Sequence, residues 1–176
     1  LAVADLQPSS ISTKAIKAPE LVRNRMNGEE GRLNDNLTCL TLQQATGRKA
    51  VIGAFAAHST TLCGNNLQFS GDFPGYWQRK IEEEYADVAI YFGGTLGSHS
   101  HKGVGESFEK SRYMGENLAD RFIEDASITE VTDTTTMSFF SIPLKTAQMQ
   151  FRVTKDLYLA PFISEQLIPK SDNYYL

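Results

Sequence analysis

Residues 50–75 read AVIGAFAAHSTTLCGNNLQFSGDFPG, and the fold turns on how the first third of this stretch hands over to the last. Ala50 to Ala57 is apolar on both faces of an extended chain, the pattern of a central strand covered on each side. His58 stands at the carboxyl end of that strand. Polar and small residues follow as far as Gly71. Asp72-Phe73-Pro74-Gly75 then opens a helix, because aspartate can cap free amide groups and proline fits the first turn. Tyr76, Lys80, Ile81, Glu84 and Tyr85 carry the helical spacing to about Ala86, with Glu82, Glu83 and Glu84 on a solvated face.

On the amino-terminal side, Leu37 to Leu42 (LTCLTL) reads as a strand, and Ala45-Thr46-Gly47-Arg48 as the turn of a hairpin joining it to the apolar strand. Residues Leu1 to Asn36 are polar and show no sustained period, so they are expected to be irregular; Arg23 and Arg25 within them have the composition of a solvated basic turn. On the carboxyl side, VAIYF (Val88–Phe92) is a second buried strand. A glycine-rich loop from Gly93 to Gly105 follows, then a helix from about Glu106 to Asp125. Its inward stripe, Phe108, Ser111, Gly115, Leu118 and Phe122, contains small residues that would let it approach a sheet closely. Thr129 to Tyr158 alternates in MSFFSIPL and MQFRV, which predicts two or three strands with an edge or bulge at Pro143.

The element order gives an α/β fold, a mixed sheet with flanking helices. The chain is expected to be one partial domain: residues 1–36 an irregular lead-in, 37–126 an α/β region carrying the site, and 127–176 a β-rich segment.

With 176 residues, 41% of them hydrophobic and 22% charged, the chain can bury a core, which excludes disorder. A net charge of −4, with 17 Lys and Arg scattered rather than gathered in a stripe, argues against nucleic acid as a partner. No apolar run approaches the roughly 20 residues that span a bilayer. No charged-then-apolar leader opens the chain, so it is expected to be cytosolic or a mature chain that has lost its leader. Cys39 and Cys63 lack the spacing of a redox or zinc motif and read as buried thiols.

Ligands of open α/β sheets bind at the carboxyl ends of strands, and two such ends here carry all three histidines of the chain: His58, and His99 with His101 in the GGTLGSHSHKG loop. A His-x-His pair with a distant third His is a zinc pattern, whereas HSH in a glycine loop is equally a solvated turn. Ser98 and Ser100, beside histidines in a glycine-rich turn, offer nucleophilic catalysis as another chemistry, although no G-x-S-x-G elbow is present.

AFAAHSTTL, the following NN, SGDFPGY, VAIYF with GGTLGSHS behind it, and FEKSRYMGENLADRF, in this order, resemble the neutral, non-lysosomal ceramidase family. Asn24-Arg25 matches that family's Asn-Arg pair upstream of the histidine. The resemblance covers roughly Leu21 to Phe122 and is most specific at His58 and at Asp72–Tyr76. It implies a zinc-dependent amidohydrolase outside the cytoplasm, secreted or periplasmic, in which metal-activated water cleaves the amide of an N-acyl sphingoid or similar lipid-like substrate. On the matching positions His58 is a zinc ligand, Arg25 a substrate or oxyanion contact, and Ser100 the serine of the family's Gly-Asp-x-Ser-Pro loop, with His99 and His101 as neighbouring substrate contacts.

Gly97-Ser98-His99-Ser100-His101 departs from that loop, with Ser98 in place of the Asp and His101 in place of the Pro. The family's other zinc ligands, a histidine before the matched region and a Glu and a Tyr after it, have no counterpart here. The chain is therefore expected to be an internal piece of a longer protein whose remainder supplies them, with peripheral membrane contact through its lipid substrate. Two alternatives stand beside this reading: a family member that binds a lipid or glycan without turnover, and a metal site rebuilt on His58, His99 and His101.

Overall fold

A computed structural model describes residues 6–62, 64, 66–126 and 138–143. The chain divides into two compact units, Leu1–Thr136 and Met137–Leu176. Among its described residues the first holds six strands and two α-helices: β1 (Ser9–Lys17), β2 (Val22–Asn24), β3 (Asn36–Gln44), β4 (Lys49–Phe55), α1 (Asp72–Glu84), β5 (Val88–Gly93), β6 (His99–His101) and α2 (Ser107–Ala126). The result is an α/β fold with a mixed sheet. Of the second unit, residues 138–143 belong to no strand or helix, and the rest of the β-rich segment expected over 127–176 lies outside the described residues, as does Cys63.

The hairpin read from the sequence is present. β3 and β4 pair antiparallel from Thr38↔Ala54 to Gln43↔Lys49, and Gly47 adopts the positive φ of 91° that the turn needs. β4 and β5 then pair in parallel, from Ala50↔Val88 to Phe55↔Gly93, with α1 as their crossover. β1 adds antiparallel to the outer side of β3, giving the order β1-β3-β4-β5. The expected irregular lead-in over residues 1–36 is thus overturned. SSISTKAIK is polar enough to hide its alternation, yet at the sheet edge only every second residue turns toward the core.

One face of the sheet makes the core. Leu37, Cys39, Val51, Phe55 and Ala89 lie under Phe73, Trp77 and Ile81 of α1, and Met114, Leu118 and Phe122 of α2 close over them. Phe73 and Trp77 stand edge-on to the Tyr91 ring at centroid distances of 5.6 and 5.7 Å. Gly53 is required where α1 crosses β4: a methyl group there would come within 2.6 Å of the Trp77 ring. The other face, with Leu40, Leu42, Ile52 and Ala54 continued by Val88, Ile90 and Phe92, carries no helix, and Phe92 is 56% exposed. β4 is therefore covered on one side among the described residues, not on two as its composition suggests.

The stripe of α2 also faces differently from the expectation. Gly115 meets α1, not the sheet: a Cβ on it would sit 2.5 Å from the Phe73 carbonyl oxygen and 2.8 Å from the Trp77 amide nitrogen. The helices cross there at backbone contact. Lys80 of α1 reaches Asp120 of α2 at 2.6 Å, and Lys14 of β1 reaches Asp125 at 2.9 Å, exposed pairs of small worth on their own.

Two outcomes follow. Gly115→Ala forces two backbones apart and should cost about 2 kcal/mol or more in urea denaturation, whereas Gly97→Ala, with open space around it, should cost under about 0.5 kcal/mol. Burial raises the Cys39 thiol to about 12, so at pH 8 it stays protonated. Peptide mapping after alkylation should find Cys39 unmodified in folded protein and modified in urea.

Candidate functional site

The parallel pairing of β4 and β5 sets two carboxyl ends side by side, and the chain leaving each end carries candidate chemistry. The Gly94 amide donates to the Phe55 carbonyl at 2.9 Å, which holds the start of the glycine-rich loop against the end of β4. A few residues on, His58 and Ser100 form a parallel bridge. The two residues singled out from separate loops are therefore backbone neighbours.

The glycine-rich loop is not loop throughout. Its residues His99–His101 are β6, which pairs antiparallel with β2: Val22 opposite His101, Arg23 opposite Ser100, Asn24 opposite His99. Three-residue strands leave no period to read, which is why the sequence hides both. The pairing has a chemical consequence. Arg23 Nε donates to Ser100 Oγ at 3.0 Å, while Arg25 Nε donates to the Gly97 carbonyl at 3.0 Å and the Arg25 amide to the Ser98 carbonyl at 2.8 Å. Both arginines are tied to the serine loop, and Arg23, which composition assigns to a solvated turn, is the one that touches the Ser100 hydroxyl.

Successive residues of a strand face opposite ways, so His99 and His101 turn away from the side that Ser100 shares with Arg23. His99 is 5% exposed and its ring is fully engaged: Nε2 accepts from the Asn34 amide at 3.0 Å, and Nδ1 lies 2.8 Å from Ser98 Oγ and 3.3 Å from the Thr95 carbonyl. The Asn34 amide makes Nε2 an acceptor, which places the ring proton on Nδ1. No nitrogen remains for a metal or a substrate. His101 directs Nε2 to the Thr60 carbonyl at 2.9 Å, and burial, with the charges of Lys110 and Arg23 acting the same way, lowers its pKa below the ordinary histidine value. The metal site rebuilt on His58, His99 and His101 is therefore not formed. Among the described residues no group of three His, Cys, Asp or Glu side chains is placed to hold a metal ion.

His58 Nδ1 is buried with no hydrogen-bond partner among the described residues, and so is His101 Nδ1, whose ring is already held to the Thr60 carbonyl through Nε2.

Asp72 is not the cap expected from the sequence: Gly71 holds that position without a side-chain bond, and Asp72 is the first residue of α1. It is buried at a positive φ of 51°, and its carboxylate accepts from Thr61 Oγ1 at 2.6 Å, from the Leu62 amide at 3.2 Å and from the Phe73 amide at 2.6 Å. Thr61 Oγ1 in turn contacts Ser111 Oγ of α2. The loop after His58 is thereby fastened to both helices. The signal for this lay in the sequence as one buried acid flanked by Ser70 and Thr61, without a way to choose its partners.

The described residues superpose on neutral ceramidase from Pseudomonas aeruginosa with a TM-score of 0.62 at 23% identity, over 72% of this chain and 24% of that one. The fold is that of part of a neutral ceramidase. A second solved structure, a ceramidase complexed with C2, gives a TM-score of 0.63 at 23% identity over 72% of this chain and 23% of that one. This chain spans about a quarter of the length of either. No family model and no curated protein sequence matches the chain. Likeness of fold and the ceramidase resemblance of the residues point the same way. No helix among the described residues is long and apolar enough to cross a membrane.

The surroundings of His99 and His58 separate structure from chemistry. His99→Ala strands the Asn34 amide and should cost about 1–3 kcal/mol in denaturant, whereas His58→Ala removes no side-chain hydrogen bond made among the described residues and should cost under about 1 kcal/mol. Equal losses in the two variants would count against this division.

Proposed function

We propose that the chain is one wall of the active site of a ceramidase-like amide hydrolase acting on an N-acyl sphingoid or a similar acylated amine outside the cytoplasm. The observation that carries the reading is the pairing of His58 with Ser100 at adjacent strand ends, in a fold shared with neutral ceramidase. His58 supplies one ligand to zinc, and parts of the protein beyond the described residues supply the others. Zinc, when bound, polarises the amide carbonyl and lowers the pKa of water to about 7.

The residues of this chain act around that centre. Arg25, held through Nε, presents its terminal nitrogens to the charge that develops on the carbonyl oxygen, where one charge-assisted donor is worth about 3 kcal/mol. Ser100 is suited to donate rather than to attack. Its oxygen already accepts from the Arg23 guanidinium, a cation that opposes nucleophilicity, and no base among the described residues is bonded to it, so its own proton is free to reach a substrate oxygen. His99, with both ring nitrogens engaged, frames the loop, and His101 is held to the Thr60 carbonyl through Nε2. Leu67 and Phe69, both exposed on the segment between Thr61 and Asp72, offer apolar surface to an acyl chain beside a cavity of about 720 Å³.

The test uses the full-length protein and an N-acyl sphingoid substrate, with released fatty acid measured. Activity should vanish with a chelator and return with zinc. His58→Ala should lose both activity and zinc, and Arg25→Ala should lower kcat about a hundredfold with zinc retained. Lipid binding without turnover, in folded and zinc-loaded protein, would overturn the hydrolase and leave a binding module in its place.

A further inference from the structure

A groove of about 670 Å³ opens beside β2, lined by Pro19, Arg23, Arg25, Glu29, Leu33 and Lys102 among others. Its charge runs against that of the chain, which is net −4. Arg23 stands opposite Ser100, Arg25 follows the end of β2 with its amide donating to the Ser98 carbonyl at 2.8 Å, and Lys102 lies two residues beyond Ser100, its amide donating to the Leu21 carbonyl at 2.9 Å. Ladder alternation therefore gathers the three cations on one side of the ribbon.

None of the three is ion-paired among the described residues, whereas Lys14, Lys17, Lys80, Arg112 and Arg121 each hold a carboxylate. Both guanidinium groups are fixed through Nε, which leaves the terminal nitrogens of each without a partner among the described residues. The loop that closes the groove is pinned as well. Asn24 Oδ1 accepts from the Met26 and Asn27 amides at 2.9 and 3.0 Å, and Asn24 Nδ2 donates to the Arg32 carbonyl at 2.9 Å. Three cations held together with one exposed glutamate repel one another, and an oxyanion between them removes that cost while satisfying the free donors.

We propose that this groove is an anion-binding subsite that takes one carboxylate or phosphate group, independently of the metal. The apolar edge at Leu33 and Pro19 accommodates a short hydrocarbon next to that group.

Calorimetric titration of the full-length, chelator-treated protein with inorganic phosphate, acetate and sub-micellar decanoate tests the proposal. Saturable binding is expected, weakened by raised salt, weakened about tenfold by Lys102→Gln or Arg23→Gln, and unchanged by Lys110→Gln, which lies outside the groove. His58→Ala should leave it intact, so a failure of the zinc reading would not affect this result. Decanoate binding more tightly than acetate would support an amphiphile as the source of the group, and equal binding a free anion. No saturable binding, or equal effects of the Lys102 and Lys110 variants in proteins with unchanged thermal unfolding, would overturn the subsite.

Discussion

A buried carboxylate must find its hydrogen bonds inside the protein, and the way Asp72 finds them organises this chain. Its partners are the Thr61 hydroxyl and the Leu62 and Phe73 amides, so the segment leaving β4 is obliged to run back to the start of α1. Through Thr61 the same knot reaches Ser111 of α2. It forms only if α1 and α2 lie close, which Gly115 permits. His58, three residues before Thr61, inherits its position from this arrangement. The positive φ of Asp72 is a strain of about 1 kcal/mol that the knot offsets.

The second constraint is the β2–β6 ribbon. A glycine-rich loop following a parallel strand is free to wander, and pairing three of its residues with Val22–Asn24 removes that freedom. It also imposes parity: one side receives Ser100 and the arginines, the other receives the histidines. His99 is then a structural residue, its two nitrogens holding Asn34 and the Thr95–Ser98 turn, whereas His58 and His101 each keep an Nδ1 without a hydrogen-bond partner among the described residues. Chemistry and scaffold are divided between neighbouring residues of one strand.

The elements with a strong period were legible in the sequence. The β3–β4 hairpin, α1, β5 and α2 stand within a few residues of where apolar spacing and turn chemistry put them, and the juxtaposition of His58 with the serine loop followed from two apolar strands in succession, although β5 is exposed along one face and not buried as its composition suggests. What escaped has physical reasons. β1 is polar because it is an edge, and β2 and β6 are too short to show alternation. The partnership of Arg23 with Ser100 depends on the register between segments 77 positions apart, which no local pattern encodes. Composition also made β4 look covered on both faces, because an apolar face reads the same whatever later lies against it.

That uncovered face meets an edge. Among the described residues β5 is the last strand of the four-stranded sheet, and Val88, Ile90 and Phe92 project from it on the side that carries no helix there. Such an edge combines open main-chain donors and acceptors with a greasy surface, a template for cross-chain strand addition. Handling the chain therefore becomes a colloidal problem as much as a catalytic one. Expressed without whatever covers β5, it will draw in chaperones and form inclusion bodies, and a lysine in place of Ile90 will act as a gatekeeper against both.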